Sequence, residues 1–523
     1  MKTTKIIGVH SGHDASACLL VGNTVVSSIS KERLTRIKHD KGDPTICVDY
    51  LLKNYGLEPS DIDLVIRSNW FDAEGLDNDY YTKFPKVEVT YKHHLLHAYA
   101  SSVVSTADEA IVIVNDGRGC RAQDNGEYEL PSNFFEVESI YRLYRGRLYE
   151  LEKHYRPYYS NKYHWGSHID SLGYAYAAIS KIIFGSAFGA GKVMALAALA
   201  KKDINIPNPF IDNNEYPFSI NSEWIDYLLS CPKDLKWQSP LAAELCANIQ
   251  LGIENYYLYR SKFLVDKYQI EDILLGGGVA LNCKNNGVLA NSPWIKSINI
   301  FPATGDDGLS VGAAVWKLRE QFKNYNPISY DISQGYNYDT TIDIQTDIID
   351  EICSLLENGA TLGFFQKGSE FGPRALCNRS IITSADSLHY KIKLNGSIKL
   401  REEFRPFGGI VLDRNLDKVT SDTLASPYML SAVRAYPWFV NQYPAIIHKD
   451  NTTRLQVIKP NDGLIAKILK NYERRTGKIA LLNTSFNSKD EPIVETLSEA
   501  RACSKKIGLD YLYFNGKIEK VND

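Results

Sequence analysis

Short apolar runs punctuated by glycine, asparagine and aspartate set the rhythm of this chain. Lys5 to Val9 and Ala17 to Val21 read as strands on either side of the turn Ser11-Gly12-His13-Asp14, and Asp63 to Ile66, Ala110 to Val114 and Asp272 to Leu275 read as further strands. Between them lie stretches of helical character over Leu95 to Ser105, Ser171 to Phe184 and Leu241 to Tyr268. Strands alternating with helices across Gly-rich turns predict an α/β fold. The pattern lapses from Asn324 to Thr346, a polar stretch rich in Tyr, Asn, Asp and Ser that holds Pro327 and Gly335. It follows one predicted helix, Leu309 to Tyr325, and precedes another, Ile348 to Glu357. It reads as the connection between two lobes, 1–330 and 346–523, with 331–345 as the linker; a long surface loop within one domain is the alternative. The sequence shows no internal repeat and no low-complexity tract.

Composition narrows the class. At 523 residues the chain has length for roughly three ordinary domains or two large ones. With 44% hydrophobic and 23% charged residues it falls among globular proteins, not disordered, collagen-like or membrane-spanning ones. A net charge of -3 argues against a protein held on nucleic acid or an anionic membrane by bulk charge, while leaving room for local basic patches. The nine cysteines are scattered and never spaced C-x-x-C, which fits free thiols in a reducing compartment better than disulfides or a thiolate zinc site. His10, His13 and Asp14 interrupt the first apolar runs, so the N-terminal segment reads as neither a signal peptide nor a membrane anchor. The expected location is cytoplasmic.

Three Gly-containing turns follow predicted strands in the first lobe: His10 to Asp14, Asn115-Asp116-Gly117-Arg118-Gly119, and Gly276-Gly277-Gly278-Val279-Ala280-Leu281-Asn282. Glycine there lets backbone N–H groups approach a phosphate or ribose, and a carboxylate at a strand end can hold a cation. Three such turns in one lobe point to a nucleotide. Gly185 to Val193 imitates a phosphate-binding loop, but its glycine spacing is off by one and Val193 stands where the magnesium-binding Ser or Thr belongs. That reading is rejected, although Lys192 remains able to approach a ligand. In His93-His94-Leu95-Leu96-His97, a helix puts His93 and His97 on one face, one turn apart, the spacing at which two imidazoles can share an ion. A pair at this spacing also serves as surface or packing. Asp116 and Asp306, partners whose choice rests on the resemblance described below, would complete a mixed nitrogen and oxygen set suited to Fe, Mn or Zn more than to Ca.

The second lobe carries Glu370-Phe371-Gly372-Pro373-Arg374-Ala375-Leu376-Cys377, then Lys399 to Phe407 with Arg401 and Arg405, then Thr453-Arg454-Leu455-Gln456, and Leu482-Asn483-Thr484-Ser485-Phe486-Asn487. Basic residues interleaved with aromatics, Gly and Pro look placed to meet phosphate and carboxylate groups, as an alternative to a surface salt-bridge network. No recognisable nucleic-acid module accompanies them.

On these strings, above all EFGPRAL, FRPF and LNTSFN in that order, the sequence resembles the O-carbamoyltransferases of the NodU/CmcH family over most of its length. The resemblance implies an N-terminal actin/Hsp70-like lobe made of duplicated RNase H-like halves and a C-terminal YrdC-like α/β lobe. It implies that the second lobe condenses carbamoyl phosphate with ATP, as its Mg²⁺ complex, into carbamoyl adenylate and pyrophosphate. The first lobe then passes the carbamoyl group to an acceptor hydroxyl and AMP leaves. Carried over residue by residue, it puts Fe²⁺ or another divalent transition metal on His93, His97, Asp116 and Asp306, and sets His13 and Lys38 at the transfer site. Gly277, Gly278 and Asn282 border the adenosine, with Asp116 and Gly117 at the nucleotide. Arg374, Lys399, Arg454 and Ser485 surround ATP and carbamoyl phosphate, and Arg401 and Arg405 flank them.

Three departures from the family pattern stand out. Cys377 replaces a usual glycine, and Gly368 replaces a usual arginine with Lys367 beside it as a substitute charge. Lys192 to Ala200 exchanges a Gly and Pro-Tyr-Gly loop for helix formers, which bears on whether Asp203 faces the acceptor. The expected acceptor is a natural product, sugar or hydroxymethylated nucleobase; a polynucleotide is compatible but not favoured, and a homodimer is compatible with the sequence. The alternatives are a threonylcarbamoyl-type transferase acting on nucleic acid and a non-catalytic nucleotide sensor.

Overall fold

The computed structural model of the chain describes residues 3–69, 76–200, 205–213, 216–322, 326–337, 346–461 and 463–521. Asp203 lies outside the described residues. In the first lobe the strands β1 (Lys5–Ser11), β2 (Ser16–Val21) and β3 (Thr24–Ser30) form an antiparallel meander, and β4 (Leu64–Asn69) and β5 (Val87–Thr90) add in parallel on the other side of β1. The same plan recurs farther along the chain. Strands β6 (Glu109–Asn115), β7 (Phe134–Tyr144) and β8 (Arg147–Pro157) are antiparallel, and β9 (Asp272–Gly276) and β10 (Ser297–Ile300) extend β6 in parallel. Each half therefore has the strand order 3-2-1-4-5, so the first lobe is duplicated in topology although no repeat is legible in its letters.

The apolar character of Ala110 to Val114, read as a strand, follows from burial on both faces: Ile111 and Ile113 face one core and Ala110, Val112 and Val114 another. Helix α1 (His93–Ser102) lies between the halves and packs on α3 (Leu309–Gln321), while α2 (Pro240–Tyr268) supports the second half. The close approach is set by Gly312, whose missing side chain leaves room for the Leu96 carbonyl 1.9 Å from where its Cβ would stand. The helix expected to run to Tyr325 ends at Gln321. Among the described residues no single helix is long and apolar enough to cross a membrane; only the bent pair Leu172–Phe184 and Ala187–Ala197 reaches that apolar length together.

The second lobe is an eight-stranded mixed sheet, from Tyr428–Arg434 at one edge to Lys517–Lys520 at the other, flanked by helices including Thr346–Glu357 and Gly463–Thr476. The connecting stretch is woven into both lobes. Ser329–Tyr330 adds a parallel strand to β3, and Gln334 accepts from Ser27 Oγ at 2.6 Å while its backbone N–H donates to the Ser369 carbonyl at 2.8 Å. Phe404, Ala425 and Leu430 of the second lobe join the core of the first, so the lobes share apolar burial.

Candidate functional site

The first of two constellations sits where the turns after β1, β6 and β9 converge with the start of α1. One turn of helix stacks His93 and His97 with their Nε2 atoms 3.1 Å apart. Asp116, just past the end of β6, approaches His93 Nε2 at 3.2 Å, and Asp306, before α3, lies 3.6 Å from His93 and 3.5 Å from His97. Ligand atoms of these four side chains all lie within 4.8 Å of one another. Two imidazoles and two carboxylates converging in a mostly buried place suit a divalent transition metal, and the donor set fits the expected group. His94, between the pair, faces away and is 2.9 Å from Ser139 Oγ through Nδ1; burial pushes its pKa down to about 4.

The surrounding charges order themselves around Asp306 and Asp116. His13 Nε2 lies 3.1 Å from Asp306 Oδ2, and its Nδ1 is 3.0 Å from Asp14 Oδ2. Asp306, and to a smaller extent Asp14, raise the His13 imidazolium above its usual range. Burial drives His10, 3.9 Å from Asp306, down to about 3. Asp116 and Asp306 stay ionised because the histidines outweigh the cost of burying them. Lys38 is exposed and its charge acts on Lys399 across the lobe boundary; the next residue, His39, is the one that reaches Asp14, at 2.7 Å. His39 had no signal of its own in the sequence beyond its place in the same turn.

The glycine turns serve approach. Gly277 has φ +84°, and a Cβ there would stand 2.2 Å from the Asn115 carbonyl oxygen. Asp116 Oδ1 accepts from the Gly278 N–H at 2.9 Å, which ties the ends of β6 and β9 together. Gly117 is held by Ser171 Oγ, which donates to its carbonyl at 2.6 Å. Asn282 caps the Cys283–Ala290 helix by accepting from the Asn285 N–H at 3.1 Å and pairs with Gln250.

The second constellation is cationic. Lys399 is buried, and its ammonium donates to the Ser485 carbonyl, to Asn487 Oδ1 at 2.6 Å and to the Asn487 carbonyl at 3.0 Å, with Ser485 Oγ at 3.3 Å. Burial, then Arg401, hold its basicity well below the lysine range. Arg401 is aligned by Asn395 Oδ1 at 2.7 Å and stacks over Phe407 at 4.4 Å. Burial and Arg454 lower Arg374, to about 9, and burial and neighbouring arginines also lower Arg401 and Arg405. The buried Nε atoms of Arg374 and Arg454 have no hydrogen-bond partner among the described residues. Glu402 stands near Arg405 at 3.7 Å, but it also binds Lys192 of the first lobe at 2.7 Å. Lys192 is therefore committed to an inter-lobe ion pair.

A description of the carbamoyltransferase N-terminus matches residues 5–125 and 76–315, and one of the carbamoyltransferase C-terminus matches residues 353–520. The chain belongs to the carbamoyltransferase family. Relatives include Nodulation protein NolNO of Sinorhizobium fredii, 26% identical over 97% of this chain and 79% of its own length. Nodulation protein U of Rhizobium tropici is 24% identical over 98% and 96%. An uncharacterized protein of Methanocaldococcus jannaschii, MJ1051, is 28% identical over 99% and 100%. Among solved structures, HypF of T. kodakarensis is similar at 14% identity and a TM-score of 0.42, covering 61% of this chain and 48% of its own.

The structure gives physical reasons for how this carbamoyltransferase tolerates its departures. Cys377 has φ +72°, the left-handed backbone that glycine adopts without cost, and it is held there by its N–H donating to Ser380 Oγ at 3.0 Å and its thiol to Gln456 Oε1 at 3.1 Å. At Gly368 a Cβ would stand 2.1 Å from the Gly335 carbonyl oxygen, so the connecting strand crosses where the usual arginine would need space. The Lys367 ammonium stands 3.4 Å from the Cβ position of Gly463, at the start of the Gly463–Thr476 helix. Helix formers from Lys192 onward do give a helix, Ala190–Ala197, which stops short of Ala200.

Proposed function

We propose that this carbamoyltransferase is ATP-dependent and makes O-carbamates, with the two half-reactions divided between the two constellations. In the second lobe, water takes the phosphoryl group of carbamoyl phosphate as inorganic phosphate. The carbamate oxygen attacks the α-phosphorus of Mg²⁺-bound ATP, and pyrophosphate leaves. In the first lobe, an acceptor hydroxyl oxygen bonds to the carbamoyl carbon, the bond to the AMP oxygen breaks, and the hydroxyl proton is given up to water.

The observation that carries this reading is the set Arg374, Lys399, Arg401, Arg405 and Arg454: buried or half-buried cations, of which burial and like-charged neighbours depress the basicity of the first four, while Glu402 acts on Arg401 and Arg405. Such a group is electrostatically incomplete without a polyanion. Guanidinium and ammonium groups held in place stabilise charge growing on a pentavalent phosphorus and on pyrophosphate. Lys399 and Ser485, fixed to each other, position one end of the cosubstrate, and Arg374 and Arg454 meet the other.

His93, His97, Asp116 and Asp306 would hold iron or another divalent transition metal, which would supply positive charge to orient the adenylate phosphate and polarise the carbonyl. His13, kept as an imidazolium by Asp306 and Asp14, puts positive charge beside the transfer site and favours negative charge developing at the carbamoyl oxygen. The acceptor we infer is a small molecule or nucleotide with a free hydroxyl. Incubation with ATP, carbamoyl phosphate and Mg²⁺ is expected to release pyrophosphate before any acceptor is added; a folded, metal-loaded sample that releases none refutes the scheme.

A further inference from the structure

The segment that imitates a phosphate-binding loop, Gly185 to Lys192, has a feature the reaction scheme leaves unused. Phe188 is 59% exposed, yet its ring stacks on His39 at 4.1 Å and 13° and meets His13 edge-on at 6.2 Å. The backbone beneath it is fixed on both sides. Ser180 Oγ donates to the Ser186 carbonyl at 2.5 Å, Ser186 Oγ accepts from the Phe188 N–H at 3.2 Å, and the buried Gly189 leaves no space for a Cβ, which would stand 2.5 Å from Ser180 Oγ. His39 behind the ring is in turn held by Asp14, and Asp14 by His13. An aromatic face kept rigid, exposed and against the histidine of the transfer site loses hydrophobic free energy unless something covers it.

We propose that Phe188 is a specificity-determining residue: its outer face is the platform on which the acceptor's ring lies, so that a ring-borne hydroxyl is presented beside His13. The inference rests on the reading of the first lobe as the place of transfer. The ligand class is an alcohol whose hydroxyl is carried on or next to a ring with an apolar face, either the C–H face of a pyranose or the face of a nucleobase. Rings of both kinds stack on a phenyl group, and a flexible ringless alcohol gains nothing from it.

The test compares the full-length wild type with Phe188→Ala and Phe188→Trp. The probes are methyl β-D-glucopyranoside and 5-hydroxymethyl-2′-deoxycytidine, with 1,3-propanediol as the ringless alcohol. Saturation-transfer NMR without ATP reads binding independently of turnover. Phe188→Ala is expected to weaken at least one ring probe about 3- to 10-fold, Phe188→Trp to retain it, and neither to change 1,3-propanediol. Which probe responds tells the sugar face from the base face. Pyrophosphate release without acceptor is expected to be the same in all three proteins. Equal affinity of wild type and Phe188→Ala for the ring probes, an equal loss for 1,3-propanediol, or no ring probe binding the wild type at millimolar concentration each overturns the proposal. If the wild type releases no pyrophosphate, the reaction scheme fails, and the binding data alone still decide the role of Phe188.

Discussion

The two constellations handle charge in opposite ways. Around Asp306 every ionised group has an opposite partner within about 4 Å, so the acids are held ionised and His13 is held protonated by one another. Around Lys399 cations outnumber the carboxylate Glu402, and burial plus repulsion between the cations lower the basicity of Lys399, Arg374, Arg401 and Arg405 together. The first centre is balanced as a mixed set that a cation would tighten. The second becomes balanced only when an anion arrives. On the proposed division of chemistry, the balanced set suits a resident cation and the cationic one a polyphosphate that comes and goes.

The largest expected effect separates the sites by half-reaction. Arg454→Ala removes a cation that has no ion pair among the described residues and is expected to slow acceptor-free pyrophosphate release by about 10²- to 10³-fold. His97→Ala is expected to leave that release near wild type while lowering carbamate product, followed by mass spectrometry, by about 10²-fold. If both substitutions stop the same step, the contrast between the sites does not correspond to a division of chemistry.

Removing repulsion offers a second way to break the comparison. Arg374→Met is expected to leave the ligand-free protein as stable as wild type or more stable, by about 1 kcal/mol, since a lone desolvated cation is replaced by a similar apolar volume. The same variant is expected to lose the rise in Tm that ATP gives the wild type, which amounts to about 2.7 kcal/mol at a hundredfold excess over Kd. A ligand-free Arg374→Met protein that melts far below wild type would mean the arginine is structural.

Lys399 sharpens the same point through protons. Its pKa in the folded, ligand-free protein is below that of the unfolded chain, so between those two values the unfolded state binds more protons and stability rises with pH across that window. Pyrophosphate brings negative charge to the ammonium and raises its pKa, so binding in that window takes up protons. Calorimetry in two buffers of different ionisation enthalpy is expected to show uptake in the wild type and less in Lys399→Met. Proton release on binding would contradict the account of a cation held below its usual basicity.

What could be read from letters was the chemistry that repeats locally. His93 and His97 are one helical turn apart, and a turn is legible; glycines after strands are legible as places of close approach. Asp116 and Asp306 were reached only through resemblance, because 190 positions separate two acids that the fold sets within reach of the same imidazoles. β7 and β8 were missed because they are long strands with charged residues scattered through them, and Glu136 and Glu138 are buried behind the site rather than exposed. Lys192 looked available because its partner, Glu402, lies 210 residues away in the other lobe. The doubling of the first lobe is a property of strand order, which diverged sequences retain without any repeated residues.

The smallest effect concerns Cys377, where the family usually has glycine. A side chain at φ +72° costs roughly 1–2 kcal/mol relative to glycine, which Cys377→Gly would recover. The same change gives up a buried thiol packed at 1% exposure and its hydrogen bond to Gln456, which is worth about as much. The two terms oppose each other, so Cys377→Gly is expected to shift stability by less than about 1 kcal/mol and to leave pyrophosphate release unchanged. Cys377→Val has the strain without the bond, and a β-branched side chain disfavours this backbone further. It is expected to be the less stable of the two in thermal melts. A gain in activity from the glycine would instead mean that the thiol, two residues from the Ala375 backbone and three from Arg374, intrudes on the anion site.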